Sequence, residues 1–192
     1  MAPQTDEELA RRSARGDHSA FAALVERHST ALLNYCIRVL GNADDAADAA
    51  QQSFVQVYLH LPSGRSDLPF RPWLYRIARN QCIDRIRQRR APVQTPITDQ
   101  GDGVESAILG VSDPEPLPES VFEAKELKNE LVAALLALPE RYRSVVSLRY
   151  ATDLTFGEIG AALGMPENTA KTLFQRAKAM LRDHLRGRLT HE

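Results

Sequence analysis

Apolar residues recur at steps of three and four along most of this 192-residue chain, the spacing of helices that each bury one face. Residues 6–15 read as a short helix. Between His18 and Leu40, the residues Phe21, Val25, His28, Leu32, Tyr35 and Val39 share one side, and Gly41 is suited to end that helix. Asn42, Asp44 and Asp45 supply capping side chains for a third helix, whose Ala47, Ala50, Phe54, Val57 and Leu61 should form the buried side. A second stripe on it, Asp48, Gln52, Val55 and Leu59, stays outside, either as a solvated flank or as a contact for a partner. Residues 62–69 hold two prolines around small polar residues and read as loop. Pro72 suits the first turn of a fourth helix running from residue 73 to about residue 90.

The last seventy residues follow the same period. Leu127, Leu131, Ala134, Leu135 and Leu138 mark a helix over 121–138, and Pro139 with Glu140 opens another that carries Tyr142, Val145, Val146 and Leu148. Thr155 and Glu158 have the spacing of a capping box. Phe156, Ile159 and Leu163 then make one stripe, Gly164 fits a left-handed stop, and Pro166 starts a final helix. That helix has two distinct sides. Ala170, Phe174, Ala177, Leu181 and Leu185 are apolar, whereas Lys171, Gln175, Lys178, Arg182 and Arg186 form a basic stripe. A short capped helix, a tight glycine-containing turn and a basic second helix describe a helix-turn-helix whose second helix can enter a DNA major groove. No stretch alternates apolar and polar residues long enough for a strand, so the chain is predicted to be all-α.

Charge changes the picture more than composition does. The formal net charge is −1, an unlikely total for a nucleic-acid binder until its distribution is counted. Residues 71–90 hold seven arginines and one acid, whereas 91–119 carry six acids, five prolines and no Lys or Arg. The acidic segment has little apolar periodicity and reads as a linker. It divides the chain into a helical unit over 1–90 and a second, containing the helix-turn-helix, over 120–192. Trp73 lies near Phe70 and Tyr75 among Arg71, Arg76, Arg79, Arg85, Arg87 and Arg89. Aromatics interleaved with guanidinium groups suit unstacked bases, which stack on rings while phosphates meet the charges. For Trp73 itself, a base contact and a partly core position are equally open.

Other chemistry is excluded or unsupported. No H-E-x-x-H frame, glycine-rich phosphate loop or nucleophile elbow occurs, so neither an enzyme, a cofactor nor a metal site is expected. Cys36 and Cys82 sit in apolar helical patterns without C-x-x-C spacing and should be buried free thiols. The N-terminus lacks a signal-peptide core, and the longest apolar run, 131–138, is too short to cross a bilayer. A cytoplasmic protein with no membrane insertion is expected. A self-sufficient dimeric helix-turn-helix regulator and a helical adaptor are the competing readings at this point.

Three blocks carry a resemblance. Residues 48–58, DAAQQSFVQVY, resemble an acidic-then-Q-E-x-F-x-x-V-W block; residues 70–80, FRPWLYRIARN, with Ile83, Asp84 and Arg87 resemble F-x-x-W-L-Y-R-I-A-x-N…D-x-R. Leu138-Pro139-Glu140-Arg141-Tyr142-Arg143, Glu158-Ile159, Leu163-Gly164, Thr169-Ala170-Lys171 and Arg176-Ala177 complete the set. In this order and spacing they resemble the sigma-70 family of bacterial sigma factors, in the extracytoplasmic-function branch that keeps only domains 2 and 4.

The resemblance implies partners and roles. Asp48, Gln51, Gln52 and Val55 would dock on the β′ clamp of core RNA polymerase, and domain 4 on the β flap. The loop with Ser63, Gly64 and Arg65 would hold a base flipped from the melted −10 element, and Phe70, Trp73, Arg76, Asn80, Asp84 and Arg87 would lie along that element. Arg149, Asn168, Thr169, Lys171, Thr172, Gln175, Arg176 and Lys178 would read the −35 element of promoter DNA. An anti-sigma factor would be the regulator. Two positions depart from the family pattern. Leu173 stands where many relatives have arginine, and is expected to turn toward the apolar side near Ala177 and Met180. Gln52 replaces a glutamate on the polymerase-facing stripe.

Overall fold

The computed structural model describes residues 4–63, 67–90 and 130–189. Its described residues are helical with no strand: α1 (Asp6–Ala14), α2 (His18–Leu40), α3 (Ala43–His60), a single 3-10 turn at Leu61–Ser63, α4 (Phe70–Arg90), α5 (130–137), α6 (Glu140–Ala151), α7 (Phe156–Leu163) and α8 (Glu167–Leu189). The predicted linker over 91–119 and the first part of the helix predicted over 121–138 lie outside the described residues. The loop predicted from residue 62 begins with the 3-10 turn, and α4 starts at Phe70, so Pro72 sits inside its first turn.

Local chemistry fixes the helix ends. Thr5 Oγ1 accepts the Glu8 N–H at 3.2 Å to start α1. Asp17 caps α2, accepting the Ala20 N–H at 3.1 Å while Ser19 and Arg12 donate to the same carboxylate, which holds it well below the usual carboxylate range. Gly41 ends α2 at φ 70°, with its N–H on Ile37 O at 2.8 Å, and Asn42 Oδ1 accepts from Asp45 to begin α3.

Helices α2, α3 and α4 form the first part of the core. Leu24, Leu32, Tyr35 and Val39 face Ala46, Ala49, Val57, Leu74, Tyr75 and Ala78, all fully buried. Tyr35 and Tyr75 meet edge to face with centroids 5.6 Å apart. The face of α3 is turned by about one position from the predicted one. Ala47 is exposed, Phe54 and Leu61 are half-buried, and Ala46, Ala49, Ala50, Ser53 and Val57 fill the interior. Small residues let α3 lie close against both neighbours, and the Ser53 hydroxyl is satisfied by Ala49 O at 2.6 Å. Cys36 and Cys82 are free and buried; the hydrogen bond between them, together with burial, pushes the Cys82 thiol well up, so it stays protonated.

Val145, Val146 and Leu148 of α6, Ile159 and Ala162 of α7 and Ala170, Leu173, Phe174 and Ala177 of α8 continue the same core. The two groups of helices touch. α6 packs on α2 and α7 on α4, and Leu136 of α5 sits where a side chain on Gly41 would be, 2.6 Å from the ideal Cβ position.

Candidate nucleic-acid interface

The helix-turn-helix is built as its residues dictate. Thr155 N donates to Glu158 Oε2 at 2.8 Å and Glu158 N to Thr155 Oγ1 at 3.3 Å, a reciprocal capping box at the start of α7. At its end Gly164 adopts φ 69°, Met165 N donates to Gly160 O at 2.9 Å and Gly164 N to Ala161 O at 3.4 Å. These two bonds are a Schellman motif. The turn passes so close to α7 that a Cβ on Gly160 would lie 2.6 Å from Met165 O. Pro166 O then accepts from Thr169 and Ala170, and α8 is under way.

Asn168, Thr169, Lys171, Thr172, Gln175, Arg176 and Lys178 all lie on the exposed side of α8, opposite Ala170, Leu173, Phe174 and Ala177. Leu173 is 7 % exposed and does join the apolar side, whereas Met180 remains 38 % exposed. Before any ligand arrives, Lys171 pairs with Glu167 at 2.6 Å and Thr172 Oγ1 donates to Asn168 O at 2.8 Å. A groove of about 360 Å³ runs between this side and α6, edged by Asn168, Thr169, Thr172, Arg176 and Arg141. Arg141 was not among the predicted readers. It follows Pro139 and Glu140 in the quoted domain 4 motif, and its guanidinium stands 4.9 Å from the Tyr142 ring centroid. Its hydrogen bond also lowers the Tyr142 phenol below the ordinary value.

Arg149 stands apart from this group. It leaves α6 to donate from Nη1 to Leu154 O at 2.9 Å and lies over Phe156, 5.2 Å from the ring centroid. In this structure it braces the turn that leads into α7.

On α4, Trp73, Arg76, Asn80, Asp84 and Arg87 fall on one stripe; the last four are exposed and Trp73 is half-buried. Phe70 departs from the expected direct contact. It is 3 % exposed, with its ring 5.5 Å from His28 and 6.3 Å from Trp73, so it supports the tryptophan from below. Trp73 is half-buried: it packs on the core and also borders an apolar cleft of about 350 Å³ with Leu61, Leu68, Pro69, Ala10 and Arg11. Helix α1 therefore supplies a wall that the sequence did not reveal. Gly64 and Arg65 lie outside the described residues, as does the side chain of Ser63.

Arg79, Arg85 and Arg89 of α4 turn to the protein itself. Arg79 pairs with Glu140 at 3.4 Å, Arg85 with Asp45 and Asp48 at 3.1 Å each, and Arg89 with Asp45. Arg87 lies 3.6 Å from Asp84. Arg76 Nη2 donates to Ala161 O at 2.5 Å, at the end of α7.

The outward stripe of α3 is open. Asp48, Gln51, Gln52 and Val55 are exposed and continue into Tyr58 and Leu59, 40 % and 61 % exposed. Three large apolar side chains on one helix face form a patch of the kind that binds protein. Among the described residues no group of three or more His, Cys, Asp or Glu is placed to hold a metal ion, and no helix is long and apolar enough to cross a membrane.

Comparison with known proteins gives these surfaces a context. The family model for sigma-70 region 2 matches residues 24–91, and that for sigma-70 region 4 matches residues 128–181. The chain is 36 % identical to the ECF RNA polymerase sigma factor SigW of Bacillus subtilis, over 90 % of this chain and 92 % of that protein. It is 32 % identical to the ECF RNA polymerase sigma-E factor of Escherichia coli K12, over 91 % of each. Among solved structures, CnrH in complex with the cytosolic domain of CnrY aligns with a TM-score of 0.68 and 26 % identity, covering 95 % of this chain and 97 % of that one. The sigma factor RpoE of Bartonella quintana, in complex with the anti-sigma factor NepR, aligns with a TM-score of 0.62 at 19 % identity, a likeness of fold, over 86 % of this chain and 96 % of that one. The chain belongs to the extracytoplasmic-function branch of the sigma-70 family of RNA polymerase sigma factors.

Proposed function

We propose that the chain is a dissociable promoter-specificity subunit, in which one unit docks on core RNA polymerase and captures −10 bases while the other reads the −35 duplex. The observation that carries this reading is the side of α8 opposite the core, where seven polar or basic residues from Asn168 to Lys178 follow a capped, Schellman-terminated helix. Such a side reads base edges through Gln175 and Arg176 and meets phosphates through Lys171 and Lys178.

At the other end, Trp73 and the cleft beside it offer an apolar face for a base leaving the stack, with Arg76 and Asn80 above it. No covalent chemistry is needed, because capturing the unstacked state is enough to favour melting. The patch formed by Gln51, Gln52, Val55 and Leu59 is the docking surface for polymerase, and the chain acts in the cytoplasm where polymerase works. Two fold relatives are held by a second protein, one described as an anti-sigma factor, which supports a protein inhibitor for this chain too.

Run-off transcription from genomic fragments, with core polymerase alone and with the purified chain, is the test. Discrete new transcripts that need the chain are expected; unchanged transcript patterns would end the proposal.

A further inference from the structure

A cavity of about 570 Å³ opens where α1, α2 and α4 face the end of α6. None of its lining residues belongs to the polar side of α8 or to the outward stripe of α3. Its volume falls within the range of small-molecule sites. Three arginines reach it from three helices: Arg27 of α2, Arg71 of α4 and Arg149 of α6. Asp6, Asp153 and Tyr150 stand among them.

The charges do not cancel. Asp6 accepts from Arg27 Nη1 through Oδ1 at 2.5 Å and meets His28 Nε2 through Oδ2 at 2.9 Å, so that carboxylate is already engaged. Arg149 gives one N–H to Leu154 O and has further donors left. Arg71 is half-buried and has no hydrogen bond or ion pair among the described residues. It lies close enough to His28 and Tyr75 for its charge to act on both, although burial acts on them more strongly. Of the cavity's carboxylates, only the exposed Asp153 remains to oppose Arg71 and Arg149. A guanidinium taken partly out of water with no counter-charge carries a desolvation cost that an anion in the cavity would offset.

The promoter does not claim this arginine. At 100° per residue, Arg71 falls on the side of α4 opposite the stripe of Arg76, Asn80 and Arg87. The rest of the wall defines the anion. Guanidinium forks match phosphate oxygens pairwise, and a phosphate monoester brings about two negative charges to the two uncommitted cations. Inorganic phosphate alone would leave most of the volume unfilled. Tyr150 is 62 % exposed, a ring open to stacking on a planar base, and Asp153 can accept from a sugar hydroxyl or a base N–H.

We propose that this cavity binds a small phosphorylated ligand the size of a nucleotide, with Arg71 and Arg149 on the phosphate, Tyr150 against the ring and Asp153 on a hydroxyl or base N–H. This site is separate from the surfaces that meet promoter and polymerase, and its occupancy can be measured on the free chain.

Isothermal titration of the full chain with the adenosine and guanosine mono-, di- and triphosphates, and with inorganic phosphate, sulfate and citrate, is the test. Saturable binding of at least one nucleotide is expected, with the three simple anions weaker. Arg71→Gln should weaken it about tenfold or more, as for loss of a charged hydrogen-bonded pair. Arg15→Gln, which removes an exposed arginine outside the cavity, should change nothing. Tyr150→Ala should weaken nucleotide binding several-fold and leave inorganic phosphate unaffected. Circular dichroism of each variant keeps folding apart from binding. Nucleotide binding no stronger than that of sulfate, binding that survives Arg71→Gln, or binding lost equally in Arg15→Gln overturns the site. Phosphate or citrate binding as tightly as any nucleotide overturns the ligand class. Displacement of the nucleotide by single-stranded −10 DNA would assign Arg71 to the promoter instead. Should Arg71→Gln fail to fold, the exposed Tyr150→Ala decides, and an unchanged nucleotide affinity overturns the proposal.

Discussion

Arg149 stands over the ring of Phe156, its guanidinium carbon 5.2 Å from the centroid, while its Nη1 donates to the carbonyl of Leu154. The pair ties the end of α6 to the first residue of the helix-turn-helix. Arg149→Ala should therefore lower unfolding stability by about 1–2 kcal/mol, combining a cation–π contact with a charged hydrogen bond. Arg149→Lys should recover only part of this, because an ammonium lacks the planar face. Urea unfolding of the two variants decides; undiminished stability with weaker DNA binding would return Arg149 to the role of a reader.

Two glycines of the turn should fail for different reasons. Gly160→Ala drives a methyl to 2.6 Å from Met165 O and should cost about 2–3 kcal/mol, since backbone must move. Gly164→Ala meets open space but keeps φ near 69°, costing about 1–2 kcal/mol. Equal losses by thermal unfolding would mean the turn relaxes more readily than its close packing implies.

On α8, Arg176→Ala and Lys171→Ala should reduce run-off from promoters that depend on a −35 element by about tenfold or more, as expected for losing a contact of 1–3 kcal/mol to a base or phosphate. Their binding to core polymerase should not change. Pull-down of polymerase beside quantified transcripts separates the two steps.

Val55→Asp tests the other surface. Val55 is 43 % exposed, so folding stability should move by less than about 0.5 kcal/mol, whereas a charge buried against polymerase should weaken binding at least tenfold. Full retention of polymerase affinity would remove this helix face from the interface.

His28 gives stability a pH dependence. Burial, and behind it the positive charges of Arg71 and Arg27, lower its pKa below the ordinary 6.5, although its Nε2 lies 2.9 Å from Asp6 Oδ2 and Asp6 pulls the other way. The unfolded chain then takes up this proton more readily than the folded one. Stability should be full above about pH 6.5 and fall as the pH drops from there toward the lower folded value. His28→Gln should flatten that decline in urea titrations between pH 8 and pH 5.5; an identical slope would assign the decline to other groups.

How much of this was legible in the sequence depended on the distance over which each feature is determined. The capping box, the Gly164 stop and the two-sided α8 are set by residues within a few positions of one another, and they appear as read. The face of α3 was misjudged by one position because steps of three and four leave neighbouring stripes almost equivalent. The small Ala46, Ala49 and Ser53 decide the matter only once α2 and α4 are in place. Phe70 looked like a partner for bases because its neighbours are arginines, yet His28, far away in the chain, claims its ring. The apposition of α4 with α7 has no local signature at all.

The ion pairs along α4 carry a last consequence. Seven arginines in residues 71–90 would release many counterions if all met phosphates, making promoter binding steeply dependent on ionic strength. Arg79, Arg85 and Arg89 already have carboxylates of their own chain. Added salt should accordingly weaken the grip on the melted strand far less than a count of guanidinium groups implies, leaving ring stacking to supply much of the hold.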